Sequence, residues 1–234
     1  MQAQDTATTY FFKSWSWVEA NLKQVALGIL AVTLAAVLAS YYFWHQNQTE
    51  VDAGQALTQM MISIAPNSDA IQLANDYLKV AADYSGTQSG GRALVLGATA
   101  LFEGGNYQEA QAQFQKYLDT YHDSAFAAPA ALGIAVSLEA QGKTEAAANA
   151  FQRVINGYSD PNAVDSAKFE LAKIDEQQGK LVEAENFYRD VARNNPNTAM
   201  GSEAAFRAYQ LNSRTSAAAP SKTVTAPFSL STKP

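Results

Sequence analysis

Cysteine is missing from all 234 residues. That absence excludes disulfides, a thiolate nucleophile, lipid attachment at a lipoprotein cysteine and the common zinc frameworks. Histidine is nearly missing too. Only His45 and His122 occur, neither with a second histidine in register, so neither has a triad or ligand set around it. Basic residues are scarce where charge is densest. Residues 1–44 are neutral overall, whereas His45 to Arg214 carry 12 basic and 20 acidic residues. An acidic body without clustered Lys and Arg excludes nucleic acid as a partner. Gly86 to Gly91 (GTQSGG) reads as a loop rather than a phosphate cradle, since no Lys-Ser or Lys-Thr follows. The carboxylate pairs Asp175/Glu176 and Glu183/Glu185 read as solvated groups on outward faces or near turns. No catalytic residue, cofactor site or metal site emerges, and an enzyme is not expected.

What the chain does have is a period. Ala93, Ala130, Ala167 and Ala204 stand 37 residues apart, as do the aromatics Tyr77, Phe114, Phe151 and Tyr188. Gly105, Gly142 and Gly179 keep the interval, and so do Ala110, Ala147 and Ala184, then Tyr84, Tyr121 and Tyr158. A fixed period of this length means one supersecondary unit stacked on copies of itself.

The other feature is apolar. Val25 to Trp44 is twenty residues without a charge, enough at about 1.5 Å per residue to cross a hydrocarbon core of roughly 30 Å. Aromatics flank it: Tyr10, Phe11, Phe12, Trp15 and Trp17 before, Tyr41 to Trp44 at its end. Such rings prefer the headgroup region. Lys13 and Lys23 precede the stretch and nothing basic follows until Lys79. The positive-inside bias therefore leaves residues 1–24 in the cytoplasm and sends the body across. A cleaved signal peptide, with Val37-Leu38-Ala39 as its cleavage site, is the rival. Its core would be about 7–15 residues with a more basic approach, so a retained anchor over residues 25–44 is favoured. Ala31, Ala35 and Ala39 form a small-residue stripe along it.

Each 37-residue unit reads as two antiparallel helices. In the second, Leu94, Gly97, Ala98 and Leu101 mark the inner side of the outgoing helix. Gly104-Gly105-Asn106 ends it, because glycine takes the positive φ of a tight reversal. Tyr107, Ala110, Phe114 and Tyr117 mark the return. The third unit repeats this with Ile134, Leu138, Gly142, Ala147, Phe151 and Val154, and the fourth with Leu171, Ala172, Gly179, Ala184, Tyr188 and Val191. A weaker first unit spans residues 50–64 and 69–84 about Pro66-Asn67-Ser68. No proline interrupts residues 25–65, which predicts that the apolar helix continues into this first unit. A lone helix over residues 199–213 closes the array through Ala204, Ala205, Phe206 and Tyr209. The Ala/Ser/Thr/Pro-rich residues 215–234 are expected to be disordered. The fold class expected is all-α: one transmembrane helix, then an α-solenoid of about four hairpins and a capping helix over residues 45–214.

This pattern resembles the tetratricopeptide repeat, with its small residue, its glycine after the first helix, and then its alanine and aromatic positions. The spacing is 37 rather than 34, Thr144 and Leu181 replace a usual tyrosine, and the signature tryptophan is missing. A second resemblance rests on Phe11-Phe12, a single span containing Gly28, and Gln46-Asn47-Gln48 leading into an Ala-rich helix. In these the chain, from about residue 9 to 214, is similar to YfgM-type ancillary subunits of the bacterial Sec translocon. That likeness implies a single-pass inner-membrane protein with periplasmic repeats. Its implied partners are translocon subunits, a periplasmic chaperone or a secreted client.

The binding surface expected is the groove formed by the first helices of successive units. Register places Arg92, Val95, Thr99 and Phe102 there from the second unit. The third gives Leu132, Val136 and Glu139, and the fourth Phe169, Lys173 and Glu176. Val95, Leu132, Phe169 and Phe206 form an apolar series at one register position. They either face a client segment, with Arg92 and Lys173 taking its carboxylates, or pack between units. The alternative role is a structural subunit of an envelope or cell-division complex, a homo-oligomer formed through the span and repeats.

Overall fold

Helix propensity and apolar spacing carry almost all of the structure. The computed structural model describes residues 17–64, 69–121 and 124–218, and among these no strand occurs. The chain divides into two units, residues 1–56 and 57–234. The first is dominated by helix α1, Leu22–Ser63. Its 42 residues run on past Trp44 without a break, as the missing proline predicts. Thr33, which interrupts the apolar run, turns its hydroxyl back onto the Ile29 and Leu30 carbonyls. Its polar group is thereby satisfied within the helix. Through the apolar part, side chains such as Leu30, Val32 and Phe43 are exposed by 64–69%.

The second unit is the array. Its return helices are α2 (Ala70–Asp83), α4 (Tyr107–Thr120), α6 (Thr144–Gly157) and α8 (Leu181–Asn194). Each has 14 residues, and their starts fall on the 37-residue period. The outgoing helices are α3 (Gln88–Glu103), α5 (Ala127–Ala140) and α7 (Pro161–Gln177), followed by α9 (Ala199–Ala218). Every helix from α2 onward packs on its chain neighbour. The end of α1 joins through Leu57, Met60 and Ile64, which share a core with Ala74, Tyr77 and Ala81 of α2. These are the antiparallel hairpins that the period implies.

The reversals inside the hairpins are copies of one another. Gly105, Gly142 and Gly179 take φ of 79°, 73° and 76°, a left-handed conformation that costs a Cβ-bearing residue about 1 kcal/mol or more. Beyond each, Asn106, Lys143 and Lys180 donate their backbone N–H to Leu101, Leu138 and Asp175 at 2.8–3.0 Å. That closes the outgoing helix and satisfies a carbonyl that would otherwise be orphaned. Between the helices the packing is tight. Ala98, Ala135 and Ala172 on the outgoing arms, with Ala110, Ala147 and Ala184 on the returns, are all fully buried. Phe151 and Tyr188 fill the gaps that the small residues leave.

Outgoing helices of successive hairpins touch one another, α3 with α5 and α5 with α7, while the returns stand further apart. The outgoing helices therefore form the shorter, inner side of the stack.

Three expectations are corrected. Residues 88–91 are not loop but the first turn of α3, capped by Thr87, whose hydroxyl accepts from Gly90 N at 2.9 Å. Gly91 there lets the stacked Tyr117 and Tyr121 rings, 5.0 Å apart, lie close against the helix. The last helix does not stop at residue 213 but reaches Ala218, since alanine favours helix and no proline comes before Pro220. And α9 closes the array with Gly201, Ala204, Ala208 and Leu211 rather than with its aromatics. Phe206 and Tyr209 are 60% and 75% exposed. Pro66-Asn67-Ser68, His122, Tyr10 to Trp15 and the tail from residue 219 lie outside the described residues.

Candidate partner-binding face

The inner side is built by one register position repeated along α3, α5, α7 and α9. Val95 is 8% exposed and belongs to the core, so it packs between units. Leu132 and Phe169 are half-buried, and Phe206, at the same register in α9, is open to solvent. The apolar series thus emerges stepwise toward the C-terminal end. Phe169 is held by Tyr188, whose ring meets it edge-on at 5.5 Å.

The remaining expected residues distribute unevenly. Arg92 and Thr99 are exposed on α3, with the Thr99 hydroxyl returned to the Val95 carbonyl at 2.9 Å. Phe102 is half-buried with its ring 5.1 Å from that of Tyr107. Val136 and Glu139 are half-buried on α5. Burial pushes the Glu139 carboxyl above its ordinary range; the like charge of Glu170 adds to the rise and Lys173 opposes it. Lys173 itself is ion-paired with Glu170. Arg92 has no ion pair among the described residues.

Glu176 sits in a polar network that the residue pattern did not reveal. Tyr188 Oη donates to Glu176 Oε2 at 3.3 Å, and Arg207 Nη1 donates to the same oxygen at 3.3 Å. Arg207 also pairs with Glu203 at 2.9 Å and lies 5.8 Å from the centre of the Tyr188 ring. Arg214 approaches Glu176 at 4.0 Å. Burial raises the Tyr188 hydroxyl's pKa strongly, Arg207 lowers it, and Glu176 raises it. The open cleft here, about 400 Å³, is lined by Lys173, Glu176, Gln177, Leu181, Arg207 and Arg214. Its three cations are matched by Glu170, Glu176 and Glu203, so the network stiffens the α7–α9 contact rather than waiting for an anion. The 37-residue period carried no signal for it, since Arg207 and Glu176 lie 31 residues apart.

Two carboxylates taken as solvated are buried instead. Asp175 is met by Lys180 Nζ at 3.4 Å. Glu185 is met by Arg189 and by Asn212 Nδ2 at 3.1 Å. Buried charge has to be paired, and here the partners come from the adjoining turn and helix. Asp165, also buried, accepts from Asn194 and Asn195 at 2.9 and 2.8 Å, pinning α7 to the turn before α9. Among the described residues no three His, Asp or Glu converge as a metal ion would require.

The sequence profile of the tetratricopeptide repeat-like domain matches residues 15–157. The chain belongs to that family. A tetratricopeptide-like array is a protein-interaction type of scaffold, and the repeats of this chain are a scaffold of that type. No curated protein matches it. Among solved structures it is similar to TPR-like repeats of a putative kinesin light chain from Podosopora anserina. The TM-score is 0.50 with 15% identity, over 74% of this chain and 89% of that one. It is also similar to the type III secretion translocator chaperone SycD of Yersinia enterocolitica. There the TM-score is 0.46 with 17% identity, over 53% of this chain and 85% of that one. At these identities the likeness concerns the fold alone.

Proposed function

We propose that this tetratricopeptide-like protein is a membrane-tethered scaffold. In this reading α1 crosses the bacterial inner membrane over residues 25–44, with residues 1–24 in the cytoplasm and the array in the periplasm. The inner face then binds a protein partner: a translocon subunit, a periplasmic chaperone or a newly exported client. The observation that carries the binding surface is the graded apolar series, from Val95 in the core through Leu132 and Phe169 to exposed Phe206. Anchors at interfaces are aromatic and apolar groups beside satisfied polar neighbours; Phe169 packs on Tyr188, whose hydroxyl donates to Glu176, and Phe206 is followed in the chain by Arg207, which donates to the same carboxylate. Arg92, Thr99, Phe102, Val136, Glu139 and Lys173 form the rest of the face.

Several observations support the tether. An 18-residue window of α1 has mean hydropathy 2.0 and none of it is buried. Lys23 precedes the apolar run and no cation follows until Lys79. The family profile covers α1 together with the first three hairpins. Tethering raises the effective concentration of a weak groove at the membrane, so modest affinity suffices.

Photo-crosslinkable residues at positions 132, 169 and 206, in cells making the full chain, test this. The expected products join the chain to an envelope or translocon protein, with the strongest yield at position 206. Absence of adducts at all three, with adducts from exposed Val182 on α8, would move the binding surface elsewhere.

A further inference from the structure

Two glutamates hold one register position on the inner face, and only one of them has donors. Glu139 lies in the last turn of α5 and Glu176 in the last turn of α7, one period apart. A carboxylate there faces the negative end of its own helix, so its donors have to come from elsewhere. Glu176 has them in Tyr188, Arg207 and Arg214. One period back, those three positions hold Phe151, Glu170 and Gln177. The hydroxyl is gone, one arginine has become a carboxylate, and the other has become a neutral amide.

Glu139 is accordingly half-buried and has no ion pair among the described residues. Glu170, which stands where Arg207 stands one unit on, pairs with Lys173. Two carboxylates thus share one cation, whereas the next unit balances Glu176 and Glu203 against Arg207 and Arg214. Burial first and Glu170 second push the Glu139 carboxyl upward against Lys173, as expected of a charge without a donor. Its surroundings are apolar. Val136 and Leu132, about one and two turns back on the same face of α5, are half-buried, as is Phe169 beside Glu170 on α7. An apolar surface with one uncompensated negative charge is complementary to an apolar segment that carries a positive one.

We infer that Glu139 and Glu170 receive an arginine of the bound partner, which takes from outside the place that Arg207 fills within the next unit. The inference rests on the inner face being the binding surface. Arginine suits the position better than lysine, because its planar fork donates to two carboxylates at once. Arg207 does so with Glu176 and Glu203. Apolar residues next to the partner's arginine lie on Leu132, Val136 and Phe169. The partner segment is therefore basic and apolar rather than acidic. Lys173, the cation expected to take a client carboxylate, is already held by Glu170.

A photo-crosslinkable residue at position 132, in cells making the full chain, reads the effect of changing either carboxylate. Glu139→Gln is expected to lower the adduct yield about tenfold, the factor for losing a hydrogen bond to a charged group. Glu170→Arg supplies a guanidinium from within and should lower the yield as far. The unfolding midpoint should not fall in Glu139→Gln, since that variant removes a charge that burial disfavours. Chymotryptic fragments of the unsubstituted chain's adduct should carry an arginine in the trapped partner segment. Unchanged yields in both variants, or a trapped segment without arginine, would overturn the inference and leave the scaffold reading standing. A midpoint that falls together with the yield would make Glu139 a structural residue and overturn it too. Adducts absent at 132, 169 and 206 alike would remove the scaffold reading, and this inference with it.

Discussion

Helices α1 and α6 are both rich in alanine and branched or aromatic side chains, and they point them in opposite directions. In α6, Ala147, Ala150, Phe151 and Val154 are buried by 97% or more. In α1, Leu27 to Trp44 leave their large apolar side chains open on every face. A helix apolar on one stripe is completed by a neighbouring protein helix. A helix apolar all round, with nothing against it, is completed by a solvent of the same character. The array thus carries its core within itself, whereas the apolar part of α1 has no such core among the described residues.

The comparison is broken most forcefully by truncating one large apolar side chain in each region. Phe151→Ala should cost about 3–5 kcal/mol of array stability, from lost transfer energy and the cavity left behind. Leu30→Ala should change it by less than about 0.5 kcal/mol. Denaturant unfolding of the full chain in detergent, followed by helical signal from the array, separates the two. Similar losses would mean that α1 is a core helix.

Charge placed in α1 should act on partition instead. Leu34→Arg costs about 2.5–3.5 kcal/mol of insertion at the middle of a span. Sedimented membranes should then hold less of the protein, while the unfolding midpoint of the array stays where it was. A midpoint that falls would contradict the division of labour.

Glycine sharpens the contrast further. A Cβ on Gly133 would lie 2.5–2.7 Å from the Phe114 ring, so Gly133→Ala should destabilise the array by about 1–3 kcal/mol through overpacking. The same exchange at Gly28 meets nothing within 4 Å and should leave the array unchanged. If both variants gain stability, as helical Gly-to-Ala exchanges otherwise do, the close approach at Phe114 is wrong.

The smallest effect is on pH dependence. Burial and Glu170 raise the Glu139 carboxyl against the opposition of Lys173, so the folded chain holds this proton more tightly than the unfolded one. The stability it contributes is present below the ordinary carboxylate range and is lost as pH rises through the raised value. Glu139→Gln should therefore raise the unfolding midpoint at neutral pH by about 1 °C, with the gain vanishing near about pH 4. A gain that grows on acidification would reverse the sign.

The hairpins were legible in the sequence because one local rule recurs in register: a small residue, a turn glycine, a second small residue and an aromatic. Period alone located Gly105, Gly142 and Gly179, and each has the positive φ expected of it. The ends were less legible, since capping units break the rule that identifies them. Phe206 and Tyr209 fit an apolar pattern, but apolar spacing does not say whether a neighbour exists to cover it, and among the described residues both stay exposed. Buried charge was hidden for a related reason. Asp175 and Glu185 are paired by Lys180 and Arg189, five and four residues along the chain, which spacing alone does not distinguish from solvated charge; only the packing of α9 on α8 adds Asn212 to Glu185. The Glu176–Arg207–Tyr188 network went unread because Arg207 and Glu176 lie 31 residues apart, off the period that guided the reading.

The most direct test of the central claim uses single introduced cysteines in the otherwise thiol-free chain. Leu34→Cys on α1 and Gln152→Cys, half-buried on the solvent side of α6, would be treated in intact cells with a membrane-impermeant maleimide after opening the outer membrane. The account predicts that the cysteine at 152 reacts at once, while that at 34 reacts only after the bilayer is dissolved in detergent. Rapid labelling of the cysteine at 34 in intact membranes would contradict it, as would a cysteine at 152 that stays shielded until the cytoplasm is opened.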